Sequence, residues 1–142
     1  MSSKACVFVI EADQVIRSAL GYILSERHET FTFAETADAL TKAARAAPDA
    51  VLVGMSILED DGAETVGMLA RKLHQAGIIV VAASRKSPLA LAGLRQGAEA
   101  IIAKPITFDG VTHAVDSVLS RRGTEPGAAA PLALVSTEIS RS

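Results

Sequence analysis

Five short strand-like runs, each followed by a stretch with helical spacing, constrain this chain more than any other feature. Ala5–Ile10, Ala50–Val53 and Ile78–Ala83 are continuous apolar runs, the pattern of strands buried on both faces of a parallel sheet. Thr30–Ala34 instead alternates Thr-Phe-Thr-Phe-Ala, which suits a strand nearer an edge. A last strand is expected over Ala98–Ala103, broken by Lys104-Pro105. Between these runs, Asp13 is a candidate N-cap for a helix reaching Arg27, with Val15, Ile16, Ala19, Leu20, Ile23 and Leu24 at helical spacing. Thr36 is the candidate cap of a second helix, ended by Pro48. A third helix is expected from Ala63 to Ala76 with Gly77 as its stop, and a fourth between Ser87-Pro88 and Gly97. The fifth runs from Thr107 to Arg122. Five βα units in about 120 residues predict an α/β fold, a doubly wound five-stranded parallel sheet with helices on both faces.

Composition bounds the function. The chain has 142 residues, enough for one domain with a real core, and 49% hydrophobic against 21% charged residues reads as globular. Aromatics are only 4%, so Ala, Val, Leu and Ile must fill the core. The formal net charge is −2 and the longest Lys/Arg block is the pair Arg121-Arg122, which gives no support to nucleic-acid binding. One cysteine, Cys6, excludes an intrachain disulfide and a multi-Cys zinc site, and its place in an apolar run makes it a buried small residue. The run after Met1-Ser2-Ser3-Lys4 is shorter than a secretory h-region, and no stretch approaches the roughly 18 apolar residues of a membrane span. A cytoplasmic protein without membrane attachment is expected. The folded domain is expected to occupy residues 1–122. Residues 123–142, rich in Gly, Ala, Pro, Ser and Thr, read as a disordered tail with one apolar patch at Pro131–Val135.

In doubly wound sheets chemistry sits at the carboxyl ends of the strands. The stretch Pro48–Gly62 therefore matters most: a buried strand stopping at Gly54, then a loop carrying Glu59, Asp60 and Asp61. Glycine has no side chain to act as nucleophile or ligand. The three carboxylates read as a solvated loop that also caps the following helix at its positive end. His28, His74 and His113 have no His or Cys at ligand spacing, so no metal is expected. Glu11-Ala12-Asp13-Gln14 stands where a dinucleotide fingerprint would be, and neither a P-loop nor a G-x-S-x-G elbow is present.

The order of elements resembles the response regulator receiver domain (CheY-like) from Lys4 to about Arg122. The resemblance rests on Val9–Arg17 after the first strand, Pro48–Val53 before the phosphoacceptor position, Asp61-Gly62, Gly97-Ala98-Glu99 and Lys104-Pro105. It implies a flavodoxin-like (βα)5 sheet of order 2-1-3-4-5 and a cis bond before Pro105. In that family an Asp at the position of Gly54 accepts a phosphoryl group from a histidine kinase. Mg²⁺ is held there by that Asp, by an acid at the position of Ala12 and by the carbonyl at Ser56. A Ser or Thr stands at the position of Ala82, and a switch aromatic at that of Ile101.

This chain keeps only Glu11 and Lys104 of that set. Both direct carboxylates for Mg²⁺ are gone, and aspartyl phosphorylation at position 54 is chemically impossible. The resemblance therefore implies a pseudo-receiver of bacterial two-component or phosphorelay signalling, not an enzyme and without cofactor, acting by phosphorylation-independent protein–protein interaction. Its partner would be a histidine kinase, another regulator or a second copy, met through the face of Leu91, Arg95, Ile101, Asp109, His113 and Asp116. Two further expectations follow. Glu11 and Lys104, taken to lie on neighbouring strands, would form an ion pair. Alternatively, a vacated pocket lined by Gly54, Ala12, Ala82 and Lys104 would take an anion or small metabolite. Ser84, two residues beyond Ala82, reads as a loop serine rather than a stand-in for the lost hydroxyl.

Overall fold

The computed structural model describes residues 4–123; the tail from 124 on, with its apolar patch, lies outside them. Strands β1 (Cys6–Ile10), β2 (Glu29–Phe33), β3 (Ala50–Gly54), β4 (Gly77–Ala82) and β5 (Ala100–Ala103) form one five-stranded parallel sheet of order β2-β1-β3-β4-β5. β1, β3 and β4 are buried along their whole length, which is why they carry no alternation; β2, at the edge, is half exposed. Helices α1 (Gln14–Ser25), α2 (Thr36–Ala43), α3 (Met55–Asp61), α4 (Glu64–Lys72), α5 (Pro88–Gln96) and α6 (Phe108–Arg121) complete the fold.

The sheet separates two cores. Phe8, Ile10, Val51, Val53, Val80 and Leu69 lie on one face, and Val7, Val9, Leu52, Ile79, Leu20 and Val115 on the other. Each fully buried aliphatic side chain contributes about 1.5–3 kcal/mol, so a mostly aliphatic centre with Phe8 suffices without tryptophan. Phe8 meets Phe31 and Phe33 edge-on, at 6.0 and 5.0 Å, and thereby ties the edge strand to the core.

Several sequence expectations are corrected. The acidic loop after Gly54 is the helix α3: nothing between residues 55 and 61 is Gly or Pro, and Ile57 and Leu58 are buried against the sheet. It stops at Gly62, whose φ of 88° favours glycine. The next helix ends at Lys72 rather than Ala76, and Gly77 opens β4 with its N–H donated to the Asp49 carbonyl (3.0 Å). Thr36 is the first residue of α2, not its cap, and Glu35 precedes it without a side-chain cap bond. β5 begins two residues later than expected. His28 lies in the turn beyond α1, where it is buried, and His74 lies past the end of α4. Asp13 caps α1 through the Ile16 N–H (3.0 Å), Thr107 caps α6, and the peptide before Pro105 is cis.

Candidate functional site

The carboxyl ends of β1, β3 and β5 bring Glu11, Gly54, Ser56 and Lys104 to one end of the sheet. Glu11 follows β1 directly, and its N–H, donated to the Phe33 carbonyl (2.9 Å), holds it in line with the sheet. Its side chain is buried, at 2% exposure. The space it fills is the one above Gly54: a Cβ on residue 54 would stand 2.6 Å from the Glu11 carboxyl carbon and closer still to Oε1. The chain thus puts a carboxylate from β1 where position 54 has no side chain to place one.

Local donors hold that carboxylate. Glu11 Oε2 accepts the Asp13 N–H (2.7 Å) and a hydrogen bond from Ser56 Oγ. Ser56 Oγ in turn accepts the Ala12 N–H (3.0 Å). Arg17 donates to the carbonyls of Glu11 (2.8 Å) and Ala12 (3.2 Å), so the strand-to-helix turn is tied from both sides. Sequence reasoning assigned Ser56 only a backbone role and passed over Arg17. The i, i+2 spacing of Glu11 and Asp13, which suits a side chain returning to a nearby N–H, was the available signal.

The expected Glu11–Lys104 ion pair does not form among the described residues. β1 and β5 are not neighbours, because β3 and β4 lie between them, and Glu11 is already satisfied locally. Lys104 is exposed, and its N–H donates to the Ala82 carbonyl (3.0 Å). Between the two lies an open cleft of about 260 Å³, lined among others by Asp13, Ser56, Glu59 and Val81.

That cleft differs from the expected pocket. Ala82 is fully buried in the core with Val53 and Val80. Gly54 is covered by Glu11. Ala12 lines a separate cleft beside α2. Ser84 accepts the Lys86 N–H (3.0 Å), the turn role of a loop serine. The residues present do not make the ligand set of a hard dication: Ala12 and Gly54 offer no oxygen side chain, and no group of three or more acidic, His or Cys side chains converges among the described residues.

The expected interaction face is only partly a surface. Leu91 (39%), Leu94 (38%) and Arg95 are exposed on α5, as are Asp109 and His113 on α6. Ile101 is buried in the core, since it points inward from β5. Asp116 is held from α1's side by Arg27 (3.1 Å), with His28 Nε2 at 3.4 Å, and so braces α6 against the α1–β2 turn. At the opposite end of the sheet, burial pushes the Cys6 thiol up to about 11, helped by the carboxylates of Glu29 and Asp49.

Sheet order, crossovers and the polar cleft at the strand ends define a doubly wound α/β protein of flavodoxin-like topology. The model of the response regulator receiver domain matches residues 7–116, and the chain belongs to that family, a family of two-component signalling. Among solved structures, it resembles a response regulator from Thermotoga maritima at 18% identity and TM-score 0.73, covering 82% of this chain and 98% of that one. The chemotaxis protein CheY4 of Vibrio cholerae matches at 21% identity and TM-score 0.73, covering 82% and 100%. NtrX from Brucella abortus matches at 22% and 0.74, covering 84% of this chain and 27% of that longer one. No curated protein matches the sequence. No helix among the described residues is long and apolar enough to cross a membrane.

Proposed function

We propose that this chain is a pseudo-receiver, a non-enzymatic and cytoplasmic module of two-component signalling whose output comes from binding another protein rather than from phosphorylation. The supporting observation is the Glu11 carboxylate above Gly54, held by Ser56 Oγ and the Asp13 N–H (2.7 Å). An acyl phosphate needs a carboxylate free to attack in line, and Gly54 has none. Glu11 is turned toward its own donors, so its side chain serves as a fixed part of the turn. The partner is a histidine kinase, another regulator or a second copy, and the exposed Leu91 and Leu94 with Arg95, Asp109 and His113 are the surface this reading assigns to it.

The experiment is an amide NMR titration with Mg²⁺ and then beryllofluoride, a mimic of the aspartyl phosphate. The reading expects no saturable movement of the amides of Glu11, Gly54, Ala82 and Lys104; saturable shifts there would overturn it.

One observation favours a second reading, a regulator switched by an anion. Lys104 has no ion-pair partner among the described residues and faces an open cleft. Asp13 and Glu59 line the same cleft and oppose an anion, which places this reading second.

A further inference from the structure

A groove of about 230 Å³ opens at the end of the molecule opposite the Glu11 site. Its apolar wall is Ala43, the last residue of α2, with Ala47, Pro48 and Leu73. Pro48 stands just before β3, and Leu73 lies between α4 and β4, so the groove sits at the amino ends of the parallel strands. Lys72, His74 and Gln75 form its polar rim, and no carboxylate lines it among the described residues.

Size decides the kind of occupant. The groove is smaller than the roughly 300–1,000 Å³ of small-molecule pockets and suits aliphatic side chains rather than a metabolite. Its seven lining residues fall well short of the roughly 20–30 residues a side of a stable complex between separate proteins. An occupant joined covalently to the same chain does not need that area, because a short tether supplies an effective concentration of the order of millimolar.

The chain carries such a segment, and it leaves the described structure beside the groove. The Arg122 guanidinium donates to the carbonyls of His74 (3.0 Å) and Gln75 (3.3 Å), both on the groove's rim. The described residues end one position later, at Gly123. Seven residues, 124–130, then lead to Pro131-Leu132-Ala133-Leu134-Val135. At about 3.3–3.6 Å per extended residue, such a link reaches about 25 Å, ample for a site within one arginine side chain of its start. In an extended run Leu132 and Leu134 point to the same side.

We propose that this groove is the docking site of Pro131–Val135 of the same chain, with Leu132 and Leu134 set against Ala43, Ala47, Pro48 and Leu73. Glu138, three residues past Val135, then comes to the basic rim. Lys72 there is exposed and in no ion pair among the described residues, so the charges are complementary. The docked segment lies at the opposite pole from Glu11, and the proposal holds whether or not position 54 governs output.

The test is paramagnetic broadening of amide signals in the full chain, with one nitroxide on Ser136→Cys in a Cys6→Ala background. Broadening is expected at Ala43, Ala47, Leu73, His74 and Gln75, unchanged on dilution. Leu132→Ser/Leu134→Ser should abolish it. Ala47→Glu, at an exposed position, puts a carboxylate in the groove and should abolish it too, with the melting temperature unchanged. Absence of broadening at these amides would overturn the proposal. Broadening that survives the leucine changes would overturn it as nearness of the link alone. Broadening that fades on dilution, or that passes from labelled to unlabelled chains in a mixture, would overturn it in favour of a second copy.

Discussion

Glu11 and Gly54 share one volume. The carboxyl carbon of Glu11 lies 2.6 Å from where a Cβ on residue 54 would stand, so each position decides what the other can be. Gly54→Asp should therefore cost about 1–3 kcal/mol in urea denaturation, the usual penalty of overpacking. Combined with Glu11→Ala, which clears the volume, the same change should cost less than the sum of the two single variants. A double-mutant cycle measures that coupling; simple additivity would refute the shared volume.

Ser56 holds the turn from α3. Ser56→Ala removes the bond to Glu11 and the acceptor of the Ala12 N–H, and should destabilise by about 1–3 kcal/mol. The amides of Ala12 and Asp13 should shift, while those of β5 stay in place.

Arg122, just past α6, ties the end of that helix to two other segments. Its guanidinium pairs with Glu99 and donates to the carbonyls of His74 (3.0 Å) and Gln75 (3.3 Å). Arg122→Lys cannot reproduce this fork and should lower the melting temperature, with Arg122→Ala lower still. Equal melting temperatures for Arg122→Lys and the parent protein would contradict it.

The Cys6 thiol, raised from 9.0 to about 11 in the folded chain, gives a defined alkaline window. The unfolded chain releases this proton first as pH rises, so the native state binds more protons above pH 9. The stabilisation it carries is fully present below pH 9 and is lost as pH rises toward 11. Cys6→Ala should remove this part of the alkaline decline in urea midpoints. Iodoacetamide should modify Cys6 at pH 8 far more slowly in the native state than in urea.

The fold was legible in the sequence because its determinants are local. The apolar runs at Ala5–Ile10, Ala50–Val53 and Ile78–Ala83 are short, rich in Val and Ile and bounded by turn formers, which favours strands buried on both faces, and Asp13, Thr107 and Gly97 mark helix ends by their own chemistry. The helix over Met55–Asp61 escaped because its three carboxylates outweighed two apolar residues, Ile57 and Leu58, whose burial depends on a sheet the sequence does not display.

The site divides along the same line. What position 54 cannot do is readable from the residue alone, since a missing side chain is a matter of covalent structure. What stands there instead is set by packing between distant segments. Glu11, Ser56 and Gly54 meet through strand register and the turn into α3, with Glu11 and Ser56 45 positions apart in the chain. The same packing separates Glu11 from Lys104 by two strands. Hydrogen bonding and charge pairing act over a few ångströms, so which partners a side chain finds is settled by the fold and not by its neighbours in sequence.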